Sequence, residues 1–204
     1  MTIHVHKGDL PDGLAFGASI AVDTETLGLN LHRDPLCLVQ ISAGDGDAHL
    51  VQLDRKTYDA PRLKSLLADQ RTEKIFHFAR FDVAMLRKWL GIAAMPVYCT
   101  KIASKLTRTY TDRHGLKDLC RELIGVDLSK QQQSSDWGAA DLSEAQKEYA
   151  ASDVLYLHRL QAALDQRLER EGRVPLAKAC FAFVPVRAEL DLAGWPETDI
   201  FAHS

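Results

Sequence analysis

The chain has 204 residues, 46% of them hydrophobic and 26% charged, with a formal net charge of −3. That length suits a single domain with a substantial core, and the charge argues against a broad basic surface for gripping long nucleic acid duplexes. No apolar run approaches the roughly 20 residues of a membrane span, and the opening "MTIHVHKGDL" lacks the apolar stretch of a secretory signal, so the expectation is a cytoplasmic protein with no membrane partner.

The first third reads as strands. "SIAVDTET", "LCLVQISA" and "AHLVQLD" are rich in Val, Ile and Leu and are parted by the turn-bearing "GLNLHRDP" and "GDGD". Connections this short favour an antiparallel meander. "APRLKSLLAD" has helical spacing with Pro61 in the first turn, "KIFHFA" is a short strand, and "RFDVAMLRKWLG" reads as a helix stopped by Gly91. "PVYCTKIASKLT" starts extended and turns helical; "GLKDLCRELIG" is a helix stopped by Gly125. The run from Leu142 to Gly172 predicts one long helix, with Ser143 and Gln146 spaced as a capping box. A short helix, "PLAKACFAFV", then precedes an irregular tail over 184–204. This order predicts an α/β domain with a mixed sheet and helices on both faces. Cys37, Cys99, Cys120 and Cys180 form no CxxC pair, which sets aside a zinc knuckle or a redox dithiol; Cys37 and Cys99 read as small core hydrophobes.

Residues two apart share a strand face, so Asp23 and Glu25 project together, opposite Val22 and Thr24. Two adjacent carboxylates repel, and a hard divalent cation is the usual means of offsetting that. An isolated DxE is more often a solvent-facing strand end, so the pair gains meaning only with partners. Asp82 stands near a helix start, where an acid also suits the macrodipole. Asp153 is mid-helix, where capping does not explain it, and Tyr149 lies four residues before it on the same face.

The order DxE, Asp, Asp, with a tyrosine before the last, resembles the motifs of the DEDDy 3′–5′ exonucleases. "VDTETLGL", "HFARFDVAML" and "EYAASDVLYL" match the three motifs, and "SKQQQSSDW" resembles the K-x4-[ST]-D-W signature of the ribonuclease D family. A closer resemblance, to the nanoRNase C family, rests on "CTKIASKLTRTYTDRHGLK" and "ELDLAGWPETDIFAHS" and extends over nearly the whole chain. These likenesses imply a ribonuclease H-like sheet flanked by helices, the DnaQ-like exonuclease fold, in one domain over 1–204. They imply two divalent cations, Mg2+ or Mn2+, held by Asp23, Glu25, Asp82 and Asp153, with Tyr149 acting on the attacking water. They further imply a ring-like homo-octamer whose substrate is very short RNA, chiefly dinucleotides. The tail over 184–204 carries Leu190, Leu192, Trp195, Ile200 and Phe201 without helical regularity, so it is expected to dock on a neighbouring subunit or else to fold back on its own domain.

Thr24, Leu27, His77, Phe78, Gln133 and Trp137 are candidates for substrate contact, Leu27 as a wedge between bases and Trp137 alternatively as a packing anchor. The basic loop with Lys105, Arg108, Arg113, His114 and Lys117 is a candidate for a substrate 5′-phosphate, or else a solvated loop. Two other readings stay open: a ribonuclease D-like enzyme trimming longer RNA or single-stranded DNA, and an inactive nucleic-acid-binding module.

Overall fold

The computed structural model describes residues 2–129 and 131–203. Six strands form one sheet in the order β1-β4-β3-β2-β5-β6: β1 Ile3–Lys7, β2 Ser19–Thr26, β3 Leu36–Ser42, β4 Ala48–Gln52, β5 Glu73–Phe76 and β6 Val97–Cys99. The β2–β3–β4 run is the expected antiparallel meander. β1, at the edge of the sheet, joins β4 in parallel; β5 and β6 extend the other side in parallel. The sheet is therefore mixed, as expected.

Helices cover both faces. α1 (Pro61–Ala68), α2 (Ala79–Leu90), α3 (Thr100–Thr107) and α4 (Leu116–Ile124) follow the expected bounds, and Gly91 and Gly125 end α2 and α4 in the left-handed region. Every residue of β3 is buried because both of its faces are packed. On one face, Leu38 and Leu50 meet Trp137, Leu142 and Ala150. On the other, Ile20, Val22, Val39 and Ile41 join the main core with α2 and α6. Cys37 and Cys99 are buried free thiols, as their apolar surroundings suggest.

Two helical expectations are corrected. The Leu142–Gly172 run is two helices, α5 (Glu144–Leu155) and α6 (Leu157–Arg170), which meet at Tyr156. The break lets α5 lie across β2, β3 and β4 while α6 turns onto α3 and α4. The Ser143–Gln146 capping box is present. The last helix, α7, runs over Val174–Leu192 and carries Pro185 within it, so helix extends well into the stretch expected to be irregular. Its packing on α2 overrides the local signal: buried Asp191 accepts from Arg80 at 2.6 Å and from Arg187 at 2.6 Å. Residues 195–203 fold back on α7, with Phe201 5.9 Å from Phe183 between ring centres.

Candidate active site

Strand alternation fixes the starting geometry. Asp23 pairs with Gln40 and Glu25 with Leu38 across β2 and β3, so both acids face α5, which carries Tyr149 and Asp153. One helical turn separates Tyr149 from Asp153, so both reach the same place. Carboxylate oxygens of Asp23, Glu25 and Asp153 lie within 4.8 Å of one another. A register irregularity at Glu25/Thr26 ends the regular pairing just past the acids, the usual position of a bulge that re-aims side chains beside a site.

Asp82 arrives from the opposite face, in the first turn of α2. Thr24, pointing away from Asp23 and Glu25, donates its hydroxyl to Asp82 Oδ1 at 2.6 Å. The fourth acid thus lines the same cleft but leans on Thr24 rather than joining the group of three. Gln40 Nε2 donates to Asp23 Oδ2 at 3.3 Å. The sequence reading missed Gln40, whose signal was a lone amide in the apolar run "LCLVQIS".

Burial dominates the electrostatics. It pushes the Asp23 carboxyl well above the ordinary range, with the charges of Asp82, Asp153 and Glu25 adding to the shift. Glu25 is pushed up to about 9 by burial and then by Asp153 and Asp82. Asp82 rises to about 7 through burial, partly offset by the Thr24 hydroxyl, and Asp153 to about 7 through burial, partly offset by Tyr149. Burial and the adjacent carboxylates raise the Tyr149 phenol far from neutrality. Four oxygen-donor acids that disfavour one another's charge fit a hard divalent cation, whose charge would hold them ionised.

The cleft encloses about 340 Å³, and its walls include Thr24, His77, Phe78 and Gln133 beside the acids and Tyr149. Phe78 caps α2 in the left-handed region (φ 66°) and is 44% exposed. A non-glycine residue in that conformation is uncommon, and such positions cluster at functional sites. Lys101, in the first turn of α3, lies 4.1 Å from the centre of the Phe78 ring and lines the cleft, a cation the sequence reading missed.

Several expected contacts fall elsewhere. Leu27 does not line the cleft; its methyls sit over Gly138, leaving less than ordinary van der Waals room for a β-carbon there, while Leu29, 82% exposed, stands at the cleft. Arg108 is fully buried, ion-paired to Glu122 and bonded to Ser104 Oγ at 3.0 Å, so it is spent on the fold. His114 Nδ1 bonds Ser104 Oγ at 2.8 Å, Arg113 is exposed, and of that basic loop Lys117 lines the cleft. Trp137 is buried behind Tyr149, 5.9 Å between ring centres, in the packing role. Lys130 of the signature lies outside the described residues.

A mixed sheet whose central strand presents two carboxylates to a helix-borne tyrosine and aspartate defines a class, and residues 10–169 match the 3′-5′ exonuclease family; the chain belongs to it. Over its full length it superposes on the full chain of Brucella melitensis NrnC with bound Mg2+ at 61% identity and TM-score 0.95. The same protein bound to pGG gives 62% identity and TM-score 0.96, again with 100% of both chains covered. Ribonuclease D of Gluconacetobacter diazotrophicus is 35% identical over 155 residues, 76% of this chain and 39% of that protein, so the chain spans about two fifths of that relative's length. The shared DnaQ-like fold is the one expected from the motifs. No helix among the described residues is long and apolar enough to cross a membrane.

Proposed function

We propose that the protein is a metal-dependent 3′–5′ exoribonuclease that hydrolyses very short RNA, chiefly diribonucleotides, to nucleoside 5′-monophosphates. The observation that carries this is the clustering of Asp23, Glu25 and Asp153 with Tyr149 and Asp82 in one small cleft. At about 340 Å³ the cleft is at the low end of ordinary ligand sites, about 300–1,000 Å³, which favours a short substrate. The net charge of −3 agrees: a dinucleotide offers few phosphates, whereas long RNA calls for a wide positive surface. The likeness to an NrnC bound to pGG supports the same choice.

In this reading Asp23, Glu25, Asp82 and Asp153 hold two divalent cations. Mg2+ or Mn2+ there would supply Lewis-acid charge to the attacking water and to the departing 3′-oxygen. Gln40 and Thr24 fix the rotamers of Asp23 and Asp82. Tyr149 stays a neutral phenol at physiological pH, so it orients the water by hydrogen bonding and does not serve as a phenolate base. Lys101 and Lys117 bring positive charge to the substrate phosphates. Phe78 and Leu29 offer apolar surface to the bases, and Gln133 an amide.

The proposal extends to self-association, with a homo-octamer as the state to test. Phe183, Val186, Trp195, Ile200 and Phe201 are exposed large hydrophobics on α7 and the segment after it, a patch of the kind that marks an interface. A cytoplasmic location belongs to the same reading, short RNA being its substrate.

The deciding experiment is hydrolysis of 5′-labelled RNAs of two to seven nucleotides, with Mg2+ and with Mn2+. The expected result is fastest turnover of the dinucleotide. Equal rates across the series would transfer the protein to the longer-RNA reading, and no hydrolysis at any length to the inactive binding module.

A further inference from the structure

His77 follows directly after β5 at the wall of the cleft, five residues before Asp82. Its Nδ1 lies 2.9 Å from Thr100 Oγ1, and that hydroxyl donates its single hydrogen to the Phe76 carbonyl at 3.2 Å. A hydroxyl that has donated can only accept from its other neighbour. The hydrogen between Thr100 and His77 therefore belongs to Nδ1, and Nε2 is left as a bare lone pair. Nε2 has no hydrogen-bond partner among the described residues, and the ring lines the cleft. Burial, then the charge of Lys101, keeps the imidazole neutral, so Nε2 is not converted to a donor at working pH.

A fixed acceptor in a cleft of carboxylates is selective. Phosphate oxygens, themselves acceptors, gain nothing from it; a substrate hydroxyl does. Lys101, one residue after Thr100, supplies the opposite preference alongside, so the wall offers a cation for phosphate and an acceptor for a hydroxyl side by side. The hydroxyl that RNA has and DNA lacks is the ribose 2′-OH, which is both donor and acceptor.

We infer that the Phe76–Thr100–His77 hydrogen-bond chain locks His77 as the Nδ1–H tautomer so that Nε2 accepts from a substrate 2′-hydroxyl, making His77 the residue that selects RNA over DNA. The inference rests on the exoribonuclease reading and names the feature of the substrate that the site requires. Thr100 is the positioning residue, and it acts through the tautomer.

The test uses 5′-phosphorylated dinucleotides bearing 2′-hydroxyl, 2′-deoxy or 2′-O-methyl groups at each nucleotide in turn, with kcat/KM measured for the wild type, His77→Phe and Thr100→Val. At one of the two nucleotides the wild type cuts the 2′-hydroxyl substrate about tenfold faster than either analogue, the loss typical of one hydrogen bond. The methyl ether keeps the oxygen but cannot donate, so it behaves as the deoxy substrate does. His77→Phe brings the hydroxyl-to-deoxy ratio close to one, and Thr100→Val reduces it. In the metal-free wild type, 15N NMR shows His77 protonated at Nδ1, and in Thr100→Val a mixture of tautomers. A ratio unchanged by His77→Phe, or a wild-type imidazole protonated at Nε2, overturns the inference. Failure of the wild type to cut any of these dinucleotides overturns the exoribonuclease reading itself, and the NMR result still decides the tautomer.

Discussion

The Thr24 hydroxyl donates to Asp82 Oδ1 at 2.6 Å, tying β2 to α2 across 58 positions of sequence. Both groups are buried, so the bond works in low dielectric, where an unpaired carboxyl is most costly. Thr24→Val removes the donor but keeps the shape. The expected outcome is a 10- to 100-fold loss in kcat or in Mg2+ affinity, the usual effect of losing a partner that orients a metal ligand. Thr24→Ser retains most activity. A Mg2+ titration of turnover in both variants checks this.

Glu25→Gln separates activity from stability. Hydrolysis falls by about a thousandfold or more, because a neutral amide replaces a charged ligand. The metal-free protein, however, melts higher than the wild type. The substitution removes an acid that burial and its neighbours disfavour as an anion, and each kcal/mol recovered is worth about 2–4 °C at this size. Differential scanning calorimetry in EDTA gives the sign directly; a lower Tm would contradict the electrostatic account of the cluster.

Stability should depend on pH in one direction. Asp82 and Asp153 at about 7 and Glu25 at about 9 all lie above their unfolded values, so the unfolded chain gives up these protons first. Their contribution is complete below the unfolded values near 4 and is lost as pH rises through 7 and 9. In EDTA, Tm therefore falls between about pH 5 and pH 9. Added Mg2+ offsets the loss, and the Tm gain is larger at pH 8 than at pH 6 because fewer protons have to leave.

Tyr149→Phe tests water orientation. The ring keeps its packing against Trp137, so the fold is retained and KM changes little. The rate constant falls by about 10²–10⁴, the range for a positioned proton-handling group.

Arg108→Met distinguishes a structural cation from a phosphate ligand. Arg108 is fully buried, donating to half-exposed Glu122 and to Ser104, so replacing it removes packing and charge-assisted hydrogen bonds and lowers stability. The melting temperature drops, while KM for a 5′-phosphorylated substrate stays near the wild-type value. Lys117→Met shows the reverse pattern, because Lys117 lines the cleft.

Removal of residues 195–204 tests the apolar patch. The cut keeps α7 and the ion pairs of Asp191 with Arg80 and Arg187, and removes the Trp195, Pro196 and Thr198 carbonyls to which those arginines also donate. Light scattering is expected to show a smaller assembly, and an unchanged mass would count against subunit contacts through this segment.

Much of the site was legible in the chain because two periodicities carry it. Alternation along β2 put Asp23 and Glu25 on one face, and the four-residue helical repeat put Tyr149 beside Asp153. The motif resemblance added Asp82, which no local pattern links to the others. Local signals also placed most helix ends, since capping boxes and left-handed glycines act within a turn of the chain.

Tertiary packing decided the remainder. Whether Arg108 meets a phosphate or Glu122, whether Leu27 or Leu29 stands at the cleft, and which face of His77 is open depend on groups brought together by the fold. The same is true of Asp191, buried between two arginines, which anchors the last turn of α7 beyond the expected end. Spacing along a strand or helix is a property of the backbone and can be read from the order of residues. A partner's identity across an interior is a property of packing and dielectric, and it exists only once the chain has closed on itself.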